Sequence, residues 1–189
     1  MNQRLLPIFR SDEQAAVLTV LFVLHAGAMS LTELADRAGV SVAHAHKEIE
    51  RLEPAGLVHS ERVGRNRMVR ANPDSPYAED LRRLLTKALG PPVVLRRALA
   101  DLPGVDRAFV YGSWAEAASG GELAGPPADI DLMIIGKPDI GRVYEIARAV
   151  ENELGLPVNP TVLESDEWEA ADSGFLRSVR SKPTIELVP

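Results

Sequence analysis

Apolar residues in the first ninety positions recur mostly at helical spacing. Ala15 to Leu24 is an almost unbroken apolar run, which predicts a buried helix. In "MSLTELADRAG", Leu31, Leu34, Ala35 and Ala38 share one face of a second helix. Ser30 is placed to cap that helix, Glu33 three residues later completes a capping box, and Gly39 supplies the left-handed stop. Ser41 caps a third helix with an inward face of Val42, Ala45, Ile49 and Leu52, ended by Pro54 and Gly56. The period then changes. "LVHSERVGRNRMVRANP" predicts a β-hairpin with strand residues Leu57, Val58, Val63, Met68 and Val69 and a turn at 64–66. Between two pairs of prolines, Leu81, Leu84, Leu85 and Ala88 stripe one amphipathic helix after an acidic first turn. That stripe serves equally to pack on its own chain or to pair with its twin in a homodimer.

From Pro91 the pattern alternates. A helix with Val94, Leu95, Ala98, Leu99 and Leu102 inward precedes a strand "DRAFVYG", a short helix "SWAEAAS" and a strand "DIDLMIIG". A helix "DIGRVYEIARAVENELG" and a strand "LPVNPTVLE" follow. Then come one or two short helices with Trp168 and Phe175 as core, and "TIELV" as a last strand or an extended tail. Strands alternating with helices predict an α/β layer. The chain therefore divides into residues 1–73, a helical linker at 74–90 and residues 91–189.

Charge sharpens that division. Residues 1–73 carry nine basic against eight acidic side chains, and residues 74–189 twelve against nineteen. Phosphates repel the acidic half, so non-specific nucleic-acid binding belongs to the first part if to either. Cysteine is absent, which excludes disulfides, thiolate metal sites and cysteine nucleophiles together. The run at 15–24 is too short to span a bilayer and follows Asp12 and Glu13. No secretory signal or membrane partner is expected, and the expected location is cytoplasmic.

Two groups of residues carry candidate chemistry. The third helix begins its outward face with Ser41, His44, Lys47 and Arg51, and the hairpin carries Arg62, Arg65, Arg67 and Arg70 against Glu61. His44 and His46 are two apart and diverge on a helix, so they make no metal site. In the second half, Gly112-Ser113 falls where a strand gives way to a helix, and small residues there admit phosphate oxygens to backbone N–H groups. Asp129 and Asp131 project from one face of the next strand. Two such oxygens, with waters and substrate phosphates, are how Mg²⁺ or Mn²⁺ is commonly held. The plain alternative is a solvated strand edge or a capping pair. Trp114 reads as core, with stacking on a base as its alternative, and Lys182 as a surface lysine within reach of a phosphate.

Helix, helix-turn-helix and basic hairpin over roughly residues 11–73 resemble the winged helix-turn-helix of bacterial regulators, particularly the arsenic-repressor type. The resemblance implies an α+β DNA-binding domain that sets Ser41, His44, Lys47 and Arg51 against the major groove of double-stranded DNA. Arg62, Arg65 and Arg67 would then touch the backbone. The metal-binding cysteines of the metal-sensing members are missing. A dimerisation or docking module is the alternative use of the same unit.

Residues 92–164 resemble the minimal nucleotidyltransferases of the DNA polymerase beta superfamily, with Gly112-Ser113 and Asp129-x-Asp131 as the signature. The resemblance implies an α/β nucleotidyltransferase fold with a small mixed sheet. It makes Gly112 and Ser113 phosphate-binding, and Asp129 and Asp131 the catalytic metal ligands for a nucleoside triphosphate. The spacer at 114–128 is longer than in the shortest members and lacks the arginine often found soon after the Gly-Ser pair. The third carboxylate of the family falls on Asn159, with Thr161 as the alternative; Glu164 lies five residues on, toward the opposite strand face. Three functions follow. The first is a DNA-binding transcription regulator with a nucleotide-sensing half. The second is an active transferase of nucleoside monophosphate to a protein, small molecule or RNA end. The third is a toxin–antitoxin component with autoregulation.

Overall fold

Ser11 starts the first helix, α1 (Asp12–Thr19), by accepting the Gln14 N–H at 3.1 Å. The apolar run continues as a π-helical turn at Val20–Leu24, closed by the His25 N–H on the Val20 carbonyl at 3.0 Å. The computed structural model describes residues 8–25, 27–119, 127–170 and 173–188. Residues 120–126, within the spacer discussed above, and the first seven residues lie outside the described ones. The chain is a mixed α/β structure with one three-stranded and one four-stranded sheet, and it falls into two compact units, Met1–Gly90 and Pro91–Pro189.

In the first unit the capping residues act as their chemistry dictates. Ser30 accepts from the Glu33 N–H at the start of α2 (Leu31–Ala38), and Gly39 closes it at φ 65°. The return half of the capping box gives way to a side-chain pair, because Glu33 Oε1 accepts from Arg37 Nε at 3.1 Å. Ser41 caps α3 (Val42–Leu52) by accepting from the His44 N–H. Ala45, Ile49 and Leu52 are buried as expected, but Val42 is 46 % exposed. It is the first helical residue, ahead of the buried stripe.

The hairpin is β2 (Val58–Val63) and β3 (Asn66–Ala71), with Asn66 paired to Val63 and only Gly64-Arg65 in the loop. Met29-Ser30 adds β1 to the far side of β3, a strand too short to leave a periodic signature. The helix α4 (Ala78–Leu89) packs on α1 and the π-turn of its own chain, with Leu85 fully buried. Burial of each large apolar side chain contributes about 1.5–3 kcal/mol.

The second unit starts with α5 (Pro91–Leu99). Its sheet holds β4 (Val105–Tyr111), β5 (Ile130–Gly136), β6 (Val158–Leu163) and β7 (Ile185–Val188) in the order β6-β5-β4-β7. β5 is parallel to β6 and antiparallel to β4, and β4 is antiparallel to β7. "TIELV" is therefore a paired strand. The remaining helices are α6 (Ser113–Ala118), α7 (Ile140–Leu154), α8 (Ser165–Ala170) and α9 (Gly174–Ser181).

Strand alternation divides the second sheet's residues between two buried faces. Phe109, Met133 and Ile135 pack under Trp168, Leu176 and Val179 of α8 and α9. Ala108, Val110, Leu132 and Ile134, of the other parity, are also fully buried. Phe175 departs from expectation: it stands 49 % exposed, off the Leu176–Val179 stripe of its helix. Trp168 is half-buried against the core. Among the described residues no helix is long and apolar enough to cross a membrane.

Candidate functional site

The strand register draws the acidic pair into a row. Tyr111, the last residue of β4, stands opposite Asp131, and Asp131 is in register with Asn159 of β6. All three share the face that α9 covers further along. Asp129 lies one residue before β5, and its Oδ2 accepts from Asn159 Nδ2 at 2.9 Å. Thr161, two residues beyond Asn159, approaches the Tyr111 hydroxyl at 3.4 Å.

Gly112 fixes the other wall. Its backbone sits at φ 68°, ψ −146°, a region that side chains rarely enter. A Cβ there would collide with Asp131 Oδ2. The carboxylate therefore lies directly over the Gly112 end of the bend, where a larger residue would have to displace it. Ser113 opens α6, whose first helical bond runs from the Glu116 N–H to the Gly112 carbonyl at 3.0 Å. Trp114 is core, 1 % exposed, so it is closed to a ligand. Lys182 reaches α6 as an ion pair with Glu116 at 2.9 Å.

The electrostatics follow from crowding. Burial first, then the neighbouring Asp129, pushes the Asp131 carboxyl above the usual range, against a hydrogen bond with Asn159. Burial also raises the Tyr111 phenol; the Thr161 hydrogen bond opposes it, and both carboxylates add to the rise. A site that strains to hold two negative charges is relieved by a cation.

Asp129 and Asp131 offer carboxylate oxygens of the kind that could hold Mg²⁺ or Mn²⁺ with water and phosphate, whereas Asn159 turns an amide N–H toward Asp129. Among the described residues no three His, Asp or Glu side chains gather as a metal site. Glu164 does not supply a third acid. It pairs with Lys137 at 2.8 Å, at the far end of β5 and β6 from Asp131. There it lines a cleft of about 250 Å³ with Asp106, Ser165 and Asp166.

The candidate DNA face is more committed internally than its sequence suggests. Glu48, only 2 % exposed, binds Arg10 at 2.8 Å and Arg51 at 2.7 Å, with His44 Nε2 at 3.8 Å. Arg51 and His44 thus point toward a buried acid, and the Ser41 oxygen is occupied in capping. Arg67 is held by Glu53 at 2.5 Å and by Ser60 at 3.0 Å, which ties the hairpin to the end of α3. Lys47, Arg62 and Arg65 are exposed. Arg62 and Arg67 line a cleft of about 350 Å³ with Leu31, His46, Ser60 and Glu61.

From sequence alone Tyr111 has no role at the site, and Phe175 is expected in the core. Tyr111 precedes Gly112 directly, and its placement opposite Asp131 needed the register. Phe175 packs edge-to-face on Tyr111, with ring centroids 5.9 Å apart. The Leu176–Val179 spacing would have marked it as lying off the buried face. No protein-family model matches the chain, and no curated protein matches it.

Proposed function

We propose that the chain is a DNA-binding regulator with an N-terminal winged helix-turn-helix and a C-terminal nucleotidyltransferase-like unit that binds a nucleoside triphosphate with Mg²⁺ or Mn²⁺. The observation that carries the nucleotide half is the seat of the Asp131 carboxylate over the side-chain-free Gly112 bend. There a metal on Asp129 and Asp131 and phosphates on the Gly112-Ser113 backbone would share one cleft. Asn159 in hydrogen bond with Asp129 supports binding over transfer. An amide offers a metal one neutral oxygen and takes up no proton from an attacking hydroxyl, a task worth about 10²–10⁴-fold in rate.

For the first unit, support comes from α3 with its exposed Lys47 and from the hairpin with exposed Arg62 and Arg65. A helix of this size fits a major groove, and flanking cations neutralise phosphates. A homodimer would match a palindromic site.

The test has two arms. In a mobility-shift assay on the DNA upstream of its own coding sequence, Lys47→Ala and Arg65→Ala should each weaken binding, and added salt should weaken it further. Insensitivity to both changes and to salt would remove the DNA-reading half. Incubation with α-labelled nucleoside triphosphates, Mg²⁺ or Mn²⁺ and candidate acceptors should give saturable binding without label transfer. Transfer that Asp129→Ala and Asp131→Ala abolish would establish the second reading, an active nucleotidyltransferase, which the intact pair of aspartates favours.

A further inference from the structure

We infer that Phe175, backed by Tyr111, is the stacking surface for the base of the nucleotide. The inference rests on the nucleotide reading above and names the part of the site that holds the ring.

Among the described residues of the C-terminal unit, Phe109 and Trp114 are buried aromatics, while Phe175 and, on α7, Tyr144 are about half exposed. Trp114 immediately follows Ser113, yet it is sealed in the core. Phe109 is fully buried, and Trp168 lies against it with centroids 5.5 Å apart. Phe175 alone of these four keeps about half its surface in solvent. Exposing so large an apolar ring forgoes favourable burial, and its helix had an inward stripe available in Leu176 and Val179.

Its position gives the exposure a use. The Phe175 ring is fixed by Tyr111 at an interplanar angle of 73°. Tyr111 in turn is locked between its neighbours: Gly112 follows it in the chain, Asp131 stands opposite in the sheet, and Thr161 meets its hydroxyl. Phe175 therefore packs on the residue that directly precedes the bend where phosphates are proposed to sit. The Ser173 hydroxyl caps its helix on the Leu176 N–H at 3.1 Å, which holds the backbone beneath the ring.

The planar group that a nucleoside triphosphate carries beyond its phosphates is its base. Stacking on phenylalanine reads a π-face and no hydrogen-bonding edge, so the surface accepts every base. It favours purines through their larger area. A site built this way measures the presence and size of a base, and leaves its identity unread.

Isothermal titration of the full chain with ATP, CTP and inorganic tripolyphosphate, each with Mg²⁺, tests this. Wild type should bind ATP more tightly than CTP, and CTP more tightly than tripolyphosphate. Phe175→Ala should weaken ATP about 10-fold and leave tripolyphosphate unchanged, while Phe175→Trp retains ATP binding. Because Phe175 is exposed, the alanine variant should melt close to wild type. If Phe175→Ala binds ATP as wild type does, the stacking surface is refuted and the nucleotide site stands. Equal loss of ATP and tripolyphosphate would also refute it, since Phe175 would then be shaping the phosphate site. If wild type binds none of the three, the nucleotide reading falls and the stacking surface with it.

Discussion

Asn159 donates its amide to Asp129 Oδ2 at 2.9 Å while standing in register with Asp131. One neutral side chain thus serves two carboxylates that would otherwise face each other unaided. Replacing it with a third acid should reverse the balance. Without metal at neutral pH, Asn159→Asp should lower the melting temperature through like-charge repulsion. Mg²⁺ should raise the variant's melting temperature more than that of wild type. If nucleotide binds as proposed, label transfer absent from wild type should appear in the variant. A variant that melts as wild type does with and without Mg²⁺ would separate Asn159 from any metal site.

Asp131 should make stability fall with rising pH. Its folded carboxyl holds its proton above the ordinary aspartate range, so the folded state binds more protons there than the unfolded state. Stability is then lost as pH climbs from the unfolded value through the raised folded one, and the cost persists above it. Asp131→Asn should therefore melt higher than wild type at pH 7, with the difference closing under acid. Mg²⁺ should stabilise wild type and leave the variant unmoved. Urea titrations at several pH values read both effects.

Gly112→Ala should cost about 1–3 kcal/mol in urea unfolding. Two effects add: the left-handed backbone at φ 68°, and a new Cβ aimed at the Asp131 carboxylate. Gly64→Ala, also at positive φ but with open space around it, should cost less. Equal losses at the two positions would show that the Asp131 contact adds nothing.

Glu48 should prove a structural anchor of α3. Its carboxylate is buried, whereas the side chains of Arg10 and Arg51 remain about half exposed. Removing either arginine alone should cost under about 1 kcal/mol, because the other still covers the charge. Removing both should exceed the sum by about 1–3 kcal/mol, since only Gln14 at 3.4 Å and His44 at 3.8 Å would then face the buried acid. A double-mutant cycle followed by urea denaturation gives the coupling directly.

The sequence by itself determined the order of the longer helices and strands, the caps at Ser30, Ser41 and Gly39, and the placement of Gly112-Ser113 and the acidic pair around strand ends. These are local properties: hydrophobic period, capping chemistry and backbone preference act within a few residues. Tertiary structure decided which chemistry is available. Arg67 reads as a free cation along the chain, and only packing brings Glu53 to it, as it brings Arg10 to Glu48. Glu164 is near Asn159 in sequence but belongs to the opposite end of a parallel strand pair. Trp114 is core as expected, whereas Phe175, expected beside it in the core, is left half in solvent. Tyr111 met Asp131 through a register that no single strand encodes. A residue's type is fixed locally, but its partners and exposure come from segments far away in the chain, where strand pairing and helix packing settle which charges are neutralised and which rings stay open.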